Sequence, residues 1–179
     1  MKWTIDGTHS AAEFAVKHLM ISTVKGRFNS FAGEGETNPD GTLKSVHVTI
    51  DPASIDTRDE KRDAHLRSPD FFDATGHPTL TFASTRIAQK GSDLSITGDL
   101  TMRGVTKSVT LTGEFNAAMT DPWGGTRAGL AVSGKINRKD FGLHWNVALE
   151  AGGFVVSEDV RLNIEVEAIA VKDEALVAA

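Results

Sequence analysis

Cysteine is absent from the 179-residue chain. That excludes a disulfide framework, a thiolate metal site and a cysteine nucleophile, and it leaves the redox compartment open. Long apolar runs are missing too, since nothing approaches the roughly 18–20 consecutive residues of a membrane-spanning helix. Excess basic charge is also lacking. The formal net charge is −5 and the pI about 5.6. This argues against a nucleic-acid partner and gives no general attraction to anionic lipid head groups. The amino-terminal Met1-Lys2-Trp3-Thr4-Ile5-Asp6 contains no apolar signal core. The expectation is therefore a cytoplasmic protein, or a periplasmic one if a signal peptide has been removed.

Motifs of catalysis are equally scarce. No Gly-x-Ser-x-Gly elbow, phosphate loop or dinucleotide fingerprint occurs. His9, His18, His47, His65, His77 and His144 show no His-x-His or His-x₃-His spacing, so no metal site is expected. No residue is nominated as catalytic, no cofactor is expected, and a non-enzymatic role is the reading.

What the chain does contain is alternation. Hydrophobic residues make up 40% and charged residues 24%, a globular balance. Ala12, Phe14, Val16 and His18 share one face, opposite Glu13 and Lys17. The stretch 26–36 reads as a strand with a bend. After the breaker Asn38-Pro39-Asp40-Gly41, Val46, Val48 and Ile50 alternate with polar neighbours. Leu80 and Phe82 open the next strand, and Lys90-Gly91-Ser92-Asp93 is a hairpin turn. Leu94, Ile96, Gly98 and Leu100 follow on one face, then Val109, Leu111, Gly113 and Phe115, then Ala128, Leu130, Val132, Gly134 and Ile136. The last strand places Val160, Leu162, Ile164 and Val166 inward, with Arg161, Asn163, Glu165 and Glu167 outward. Eight antiparallel strands with one apolar face each form a closed barrel. Interior glycines allow coiling and are expected to leave room inside. Residues 1–171 read as one domain and 172–179 as a frayed tail.

Residues 54–72 interrupt the alternation. Thr57 is the expected N-cap, with Glu60 its capping-box partner. Ser68-Pro69 reads as a second cap with proline at the first helical position. Leu66, Phe71 and Phe72 give the segment an apolar tip. The expected role is a short helical cover over the barrel. Arg58, Asp59, Arg62, Asp63, His65 and Arg67 read as a solvated charged face, with pairs such as Asp59 and Arg62.

Several pieces, in this order, carry a family resemblance: Trp3-Thr4-Ile5-Asp6, Phe14-Ala15-Val16-Lys17-His18, Gly26-Arg27-Phe28, and the run from Ser54 through His65-Leu66 to Phe71-Phe72. Gly98-Asp99-Leu100-Thr101-Met102-Arg103-Gly104 and Arg138-Lys139-Asp140-Phe141-Gly142-Leu143-His144-Trp145 complete it. The chain resembles the YceI-like family of lipocalin-like polyisoprenoid-binding proteins. The resemblance implies an extended antiparallel barrel with a long apolar channel. It also implies storage or transport of an isoprenoid quinone or prenyl phosphate, and a possible homodimer.

The candidate ligand-lining set is Phe14, Val16, His18, Phe28, Val48, Ile50, Leu66, Phe71, Phe72, Phe82, Leu100, Leu111, Phe115, Leu130, Phe141, Trp145 and Ile164. A prenyl tail needs only such apolar walls, since each buried CH₂ contributes roughly 0.8 kcal/mol. Arg62, His65 and Arg67 are the candidates for a head group, a phosphate favouring arginine. The alternatives are a solid barrel serving stress response or protein interaction, or a binder of another long-chain amphiphile such as a fatty amide.

Overall fold

Strand segments run antiparallel around one another and return to their start. The computed structural model describes residues 1–150 and 152–171, apart from the side chain of Ala117. The expected frayed tail at 172–179 lies outside the described residues. In chain order the segments are β1 (Lys2–Ile5), β2 (Ala11–His18), β3 (Ser22–Phe28), β4 (Phe31–Thr37), β5 (Leu43–Ile50) and β6 (Ile55–Asp56). The helix α1 (Glu60–Arg67) follows, then β7 (Leu80–Lys90), β8 (Asp93–Met102), β9 (Val105–Thr120), β10 (Thr126–Asn137) and β11 (Val156–Ala170).

Eleven segments make eight staves, because three staves are bent. β11 is 15 residues long. Its free edge pairs first with β2 (Leu162 opposite Phe14) and then with β1 (Ala170 opposite Trp3). β1 and β2 are thus one stave interrupted at residues 6–10. β3 with β4, and β5 with β6, behave in the same way. The breaks fall at turn-forming residues. Asp6 accepts from the Thr8 N–H, and Asp51 accepts from the Ala53 N–H. Each is an Asx-type turn, which offers the backbone a local partner in place of the ladder.

The barrel closes through β1, β4, β5, β7, β8, β9, β10 and β11. At the other end β6, only two residues long, is a free edge. Residues 57–79, with α1 among them, occupy the gap there.

The helical cover is shorter than expected. α1 spans only Glu60–Arg67, and its N-cap is Asp59, whose carboxylate accepts the Arg62 N–H at 3.0 Å. Thr57 is not the cap. Its hydroxyl donates to Asp63 at 2.5 Å, both residues being buried, and accepts from the half-buried Arg62 Nε at 2.7 Å. Capping geometry favours Asp59 because Arg58 before it takes positive φ (64°), which turns the chain away before the helix starts. Ser68 does not open a second helix. It ends α1, its hydroxyl donating to the His65 carbonyl at 2.7 Å.

The roof over the gap is tied down by backbone groups. The Phe72 N–H donates to the Leu66 carbonyl and the Ala74 N–H to the Arg67 carbonyl, both at 2.9 Å. Arg103 Nη1 donates to the Phe71 carbonyl at 2.9 Å. Such saturation keeps a loop compact without secondary structure of its own.

The end where the barrel closes is packed. Trp3, Leu43, Leu94, Phe115 and Ala128 are all buried there, and the Trp3 indole N–H donates to Thr37 Oγ1 at 3.1 Å. The interior glycines do not leave space. A methyl group built on Gly98 would lie 2.4 Å from the Phe82 ring, and one on Gly134 would lie 2.6 Å from Leu111 Cδ2. Large neighbours already fill what glycine vacates, as close packing requires.

Candidate ligand-binding cavity

Above the packed half lies a cavity of about 300 Å³. Its walls come from the inner faces of β2 and β11, the ends of β8 and β10, and the roof. Phe14, Val16 and His18 line it from β2, Phe28 from β3 and Ile50 from β5. Phe82, Leu100, Leu111 and Ile164 line it from β7, β8, β9 and β11, and Leu66, Phe71, Phe72 and Trp145 from the roof and the following loop. Aromatic rings order the roof. Phe28 meets Phe14 at 5.7 Å and Phe72 at 5.6 Å, the latter edge-on. Phe71 and Trp145 both meet His65 edge-on, at 5.1 and 4.7 Å.

Four expected lining residues lie elsewhere. Phe115 and Leu130 face a separate void of about 50 Å³ at the packed end. Val48 is not on the cavity wall, and its Cγ2 sits over Gly33. Phe141 is only 1% exposed and belongs to the solid core. The long channel implied by the resemblance is therefore interrupted: the hollow part occupies one half of the barrel. Strand periodicity marks which residues point inward, but not how far large side chains reach across the axis.

The cavity wall carries cationic groups at two points, and Glu13 is, among the described residues, the one carboxylate residue that borders it. Arg62 and Arg138 both border it. Arg62 turns from the helix surface inward, Nη2 donating to the Thr57 carbonyl at 2.8 Å, so the expected Asp59–Arg62 side-chain pair does not form. Arg138 is buried. Its guanidinium donates to the carbonyls of Leu143 (2.6 Å), Trp145 (2.9 Å) and Ser157 (2.9 Å). Burial pushes its pKa below the usual arginine range, and Glu158 opposes that shift. Its partners are neutral carbonyls, so its positive charge is not cancelled by a bonded carboxylate. Sequence reading missed Arg138 because a charged residue at a strand end normally faces water; the only signal was its place in a matching motif.

His65 lines the cavity and its Nε2 lies 2.8 Å from Asp70. Arg67 lies outside the cavity wall. It clips the helix to the bend of the third stave, Nε donating to the Ala53 carbonyl at 2.9 Å.

A second polar cluster sits outside the barrel, at the bend between β1 and β2. Asp6, His9 and Glu167 bring ligand-type atoms within 4.8 Å of one another. Arg127 already donates to Asp6 (3.0 Å), to Asp121 (2.9 Å) and to Glu167, so a guanidinium already partners these carboxylates. Asp6 and His9 are three residues apart, but Glu167 and Arg127 are remote from them in sequence, and spacing rules had no means of joining the two pairs. Among the described residues no helix is long and apolar enough to cross a membrane.

A closed antiparallel barrel of eight staves with an apolar internal cavity, roofed by a short helix, defines a class of small barrels whose interior holds either packed side chains or one small ligand. Within that class the chain belongs to the YceI-like domain family, which matches residues 3–168. The UPF0312 protein SAS2572 of Staphylococcus aureus (strain MSSA476) is 42% identical over 168 residues, covering 92% of this chain and 95% of its own. The crystal structure of a Campylobacter jejuni YCEI protein is similar, with a TM-score of 0.76 and 34% identity over 87% of this chain and 90% of that one. A structure described as a polyisoprenoid binding domain from Saccharophagus degradans, implicated in plant cell wall breakdown, shares the fold. Its TM-score is 0.66 at 18% identity, over 94% of this chain and 98% of that one.

Proposed function

We propose that the protein is a non-enzymatic carrier that holds the tail of a prenyl lipid in its cavity, with an anionic head group such as a phosphate toward Arg62 and Arg138. The observation that carries this reading is a largely apolar wall on which two guanidinium groups, both bonded to neutral partners, outnumber the single bordering carboxylate residue, Glu13. Arginine suits a phosphate because its planar donors match the oxygens in pairs. The fold shared with a domain described as polyisoprenoid-binding supports the choice of tail.

Size sets a constraint. An apolar cavity of about 150 Å³ takes benzene, so the 300 Å³ here takes roughly twelve carbon atoms, about two isoprene units, on the same scale. A longer tail is accommodated by displacement of the roof or by leaving part of the chain outside.

Native mass spectrometry and organic extraction of the purified protein test the reading, together with a matched pair of ligands. Geranylgeranyl phosphate is expected to bind about tenfold tighter than geranylgeraniol, in line with a hydrogen bond to a charged group. Equal affinity removes the phosphate and favours a quinone-type head. No uptake of either, with nothing co-purifying, overturns the cavity as a lipid site.

A further inference from the structure

The turn between β2 and β3 is built against ordinary turn chemistry. The Ile21 N–H donates to the His18 carbonyl at 3.0 Å, and both central residues, Leu19 and Met20, have positive φ (51° and 58°). That is the pattern of a type I′ turn, where Asn-Gly or Gly-Gly is the strain-free choice. Bulky side chains pay a steric cost there. The strain holds apolar groups out into water: Met20 is 73% exposed and Ile21 83%.

A second tip stands beside the first. The Leu19 N–H donates to the Val155 carbonyl at 2.8 Å, and Leu149 and Gly153 close the neighbouring turn. Met20 Sδ would lie only 2.7 Å from a methyl group built on Gly153, so the two tips are in contact. Val147 and Phe154 on this second tip are also exposed. The patch is continuous with the cavity wall: His18 and Val155 line the cavity, and each is bonded to or adjacent to Leu19.

We propose that this double tip docks the protein on a lipid bilayer surface, so that a prenyl lipid passes between the bilayer and the cavity directly below. The inference rests on the cavity being a lipid site. A bilayer fits the patch better than a second copy of the chain. Five exposed apolar residues form a small point, whereas a stable protein interface uses about 20–30 residues a side. Insertion into the head-group region needs only a few apolar side chains and nearby cations. Lys17 and Lys25 supply these, exposed one and three ladder positions below the last pair, His18 with Ser22, on the outer face. Another exposed apolar tip among the described residues carries Met119 and Trp123. Its positive-φ position is a glycine, Gly124, and it belongs to the packed end. It serves as an internal control.

The test is co-sedimentation with vesicles of phosphatidylcholine alone and mixed with phosphatidylglycerol. The double variant Leu19→Asn/Met20→Gly relieves the turn, so its Tm is expected to equal or exceed the parent's. Its uptake of geranylgeranyl phosphate from solution is expected to be unchanged. Its vesicle binding is expected to fall at least about tenfold, from the loss of two inserted aliphatic side chains. Trp123→Ser is expected to bind vesicles like the parent. A parent that ignores both vesicle types overturns the proposal, as does a double variant that binds like the parent. Loss of binding in Trp123→Ser overturns it too. Self-association of the parent that the double variant abolishes, without vesicle binding, assigns the patch to a second copy instead. A parent that binds vesicles but takes up no prenyl lipid keeps the docking surface and refutes the cavity reading alone.

Discussion

The indole of Trp145 meets the imidazole of His65 edge to face, 4.7 Å between ring centroids and 89° between planes. This contact joins α1 to the loop that follows Arg138. The Trp145 carbonyl accepts from Arg138, so one residue links the roof, the wall and the buried cation.

Trp145 should therefore report ligand entry. Trp3 is buried in the packed half, and Trp123 is 86% exposed at that end. Titration with a short-tailed isoprenoid quinone is expected to quench Trp145 alone. In Trp145→Phe the quenching should vanish beyond inner-filter loss. Quenching that survives in that variant would falsify the placement of the ligand.

The two halves of the barrel should respond oppositely to added volume. Val16 lines the cavity, so Val16→Phe should keep the unfolding midpoint within experimental scatter while blocking uptake. Ile96 is 1% exposed in the packed core. Ile96→Phe should cost about 1–3 kcal/mol, the usual penalty of overpacking. Equal destabilisation by both, read from denaturant midpoints at constant m, would mean that the upper half is as solid as the lower.

Arg138 should matter for folding as well as binding. Replacement by Met strands the carbonyls of Leu143, Trp145 and Ser157, now bonded to the guanidinium. A loss of about 3 kcal/mol is expected, within the range for leaving buried polar groups unpaired. A change below about 0.5 kcal/mol, typical of an exposed site, would place the guanidinium in solvent.

The helix start gives a separate check. Asp59→Ala should cost about 1 kcal/mol as a lost N-cap. Thr57→Val should cost more, because it removes a buried hydroxyl from between Asp63 and Arg62. The reverse order of the two, by chemical denaturation, would restore Thr57 as the cap.

Stability should fall on both sides of a mildly acidic plateau. The Asp6 carboxyl is held far below its usual range, by the Thr8 hydroxyl first and then by His9 and Arg127. Asp121 is lowered chiefly by Arg127. A lowered carboxyl pKa stabilises the fold above the ordinary carboxylate range, and that contribution is lost as pH falls through the lowered values. His9 runs the other way. Its pKa is raised from 6.5, mainly by its hydrogen bond to Asp6. Its contribution is complete below 6.5 and is lost as pH rises through the raised value. The effect is small, because His9 is largely exposed and screened by salt. The measurement is Tm against pH for the parent and His9→Gln. The parent is expected to decline as pH rises above 6.5 more than the variant does, and identical curves would remove His9 from the account.

Period-two alternation made most of the barrel readable. Val160, Leu162, Ile164 and Val166 point inward as their spacing requires, and Phe14, Val16 and His18 share the cavity wall. The same alternation could not separate a wall from a plug. Leu111 and Phe115 are two positions of the same face, yet Leu111 borders the cavity and Phe115 fills the packed end. Which of these a residue does depends on what reaches it from the opposite staves, and that is a long-range fact.

What the chain's own residue order determined is the set of inward faces, the turns and the presence of a cover, because each follows from interactions between near neighbours. Closure alone decided the rest. It bent three staves so that β11 could carry both β1 and β2 on one edge. It set Phe82 and Leu111 against Gly98 and Gly134, and it drew Arg138 inward to the Ser157 carbonyl of β11. Those outcomes depend on distances between residues remote in sequence, which no local pattern encodes.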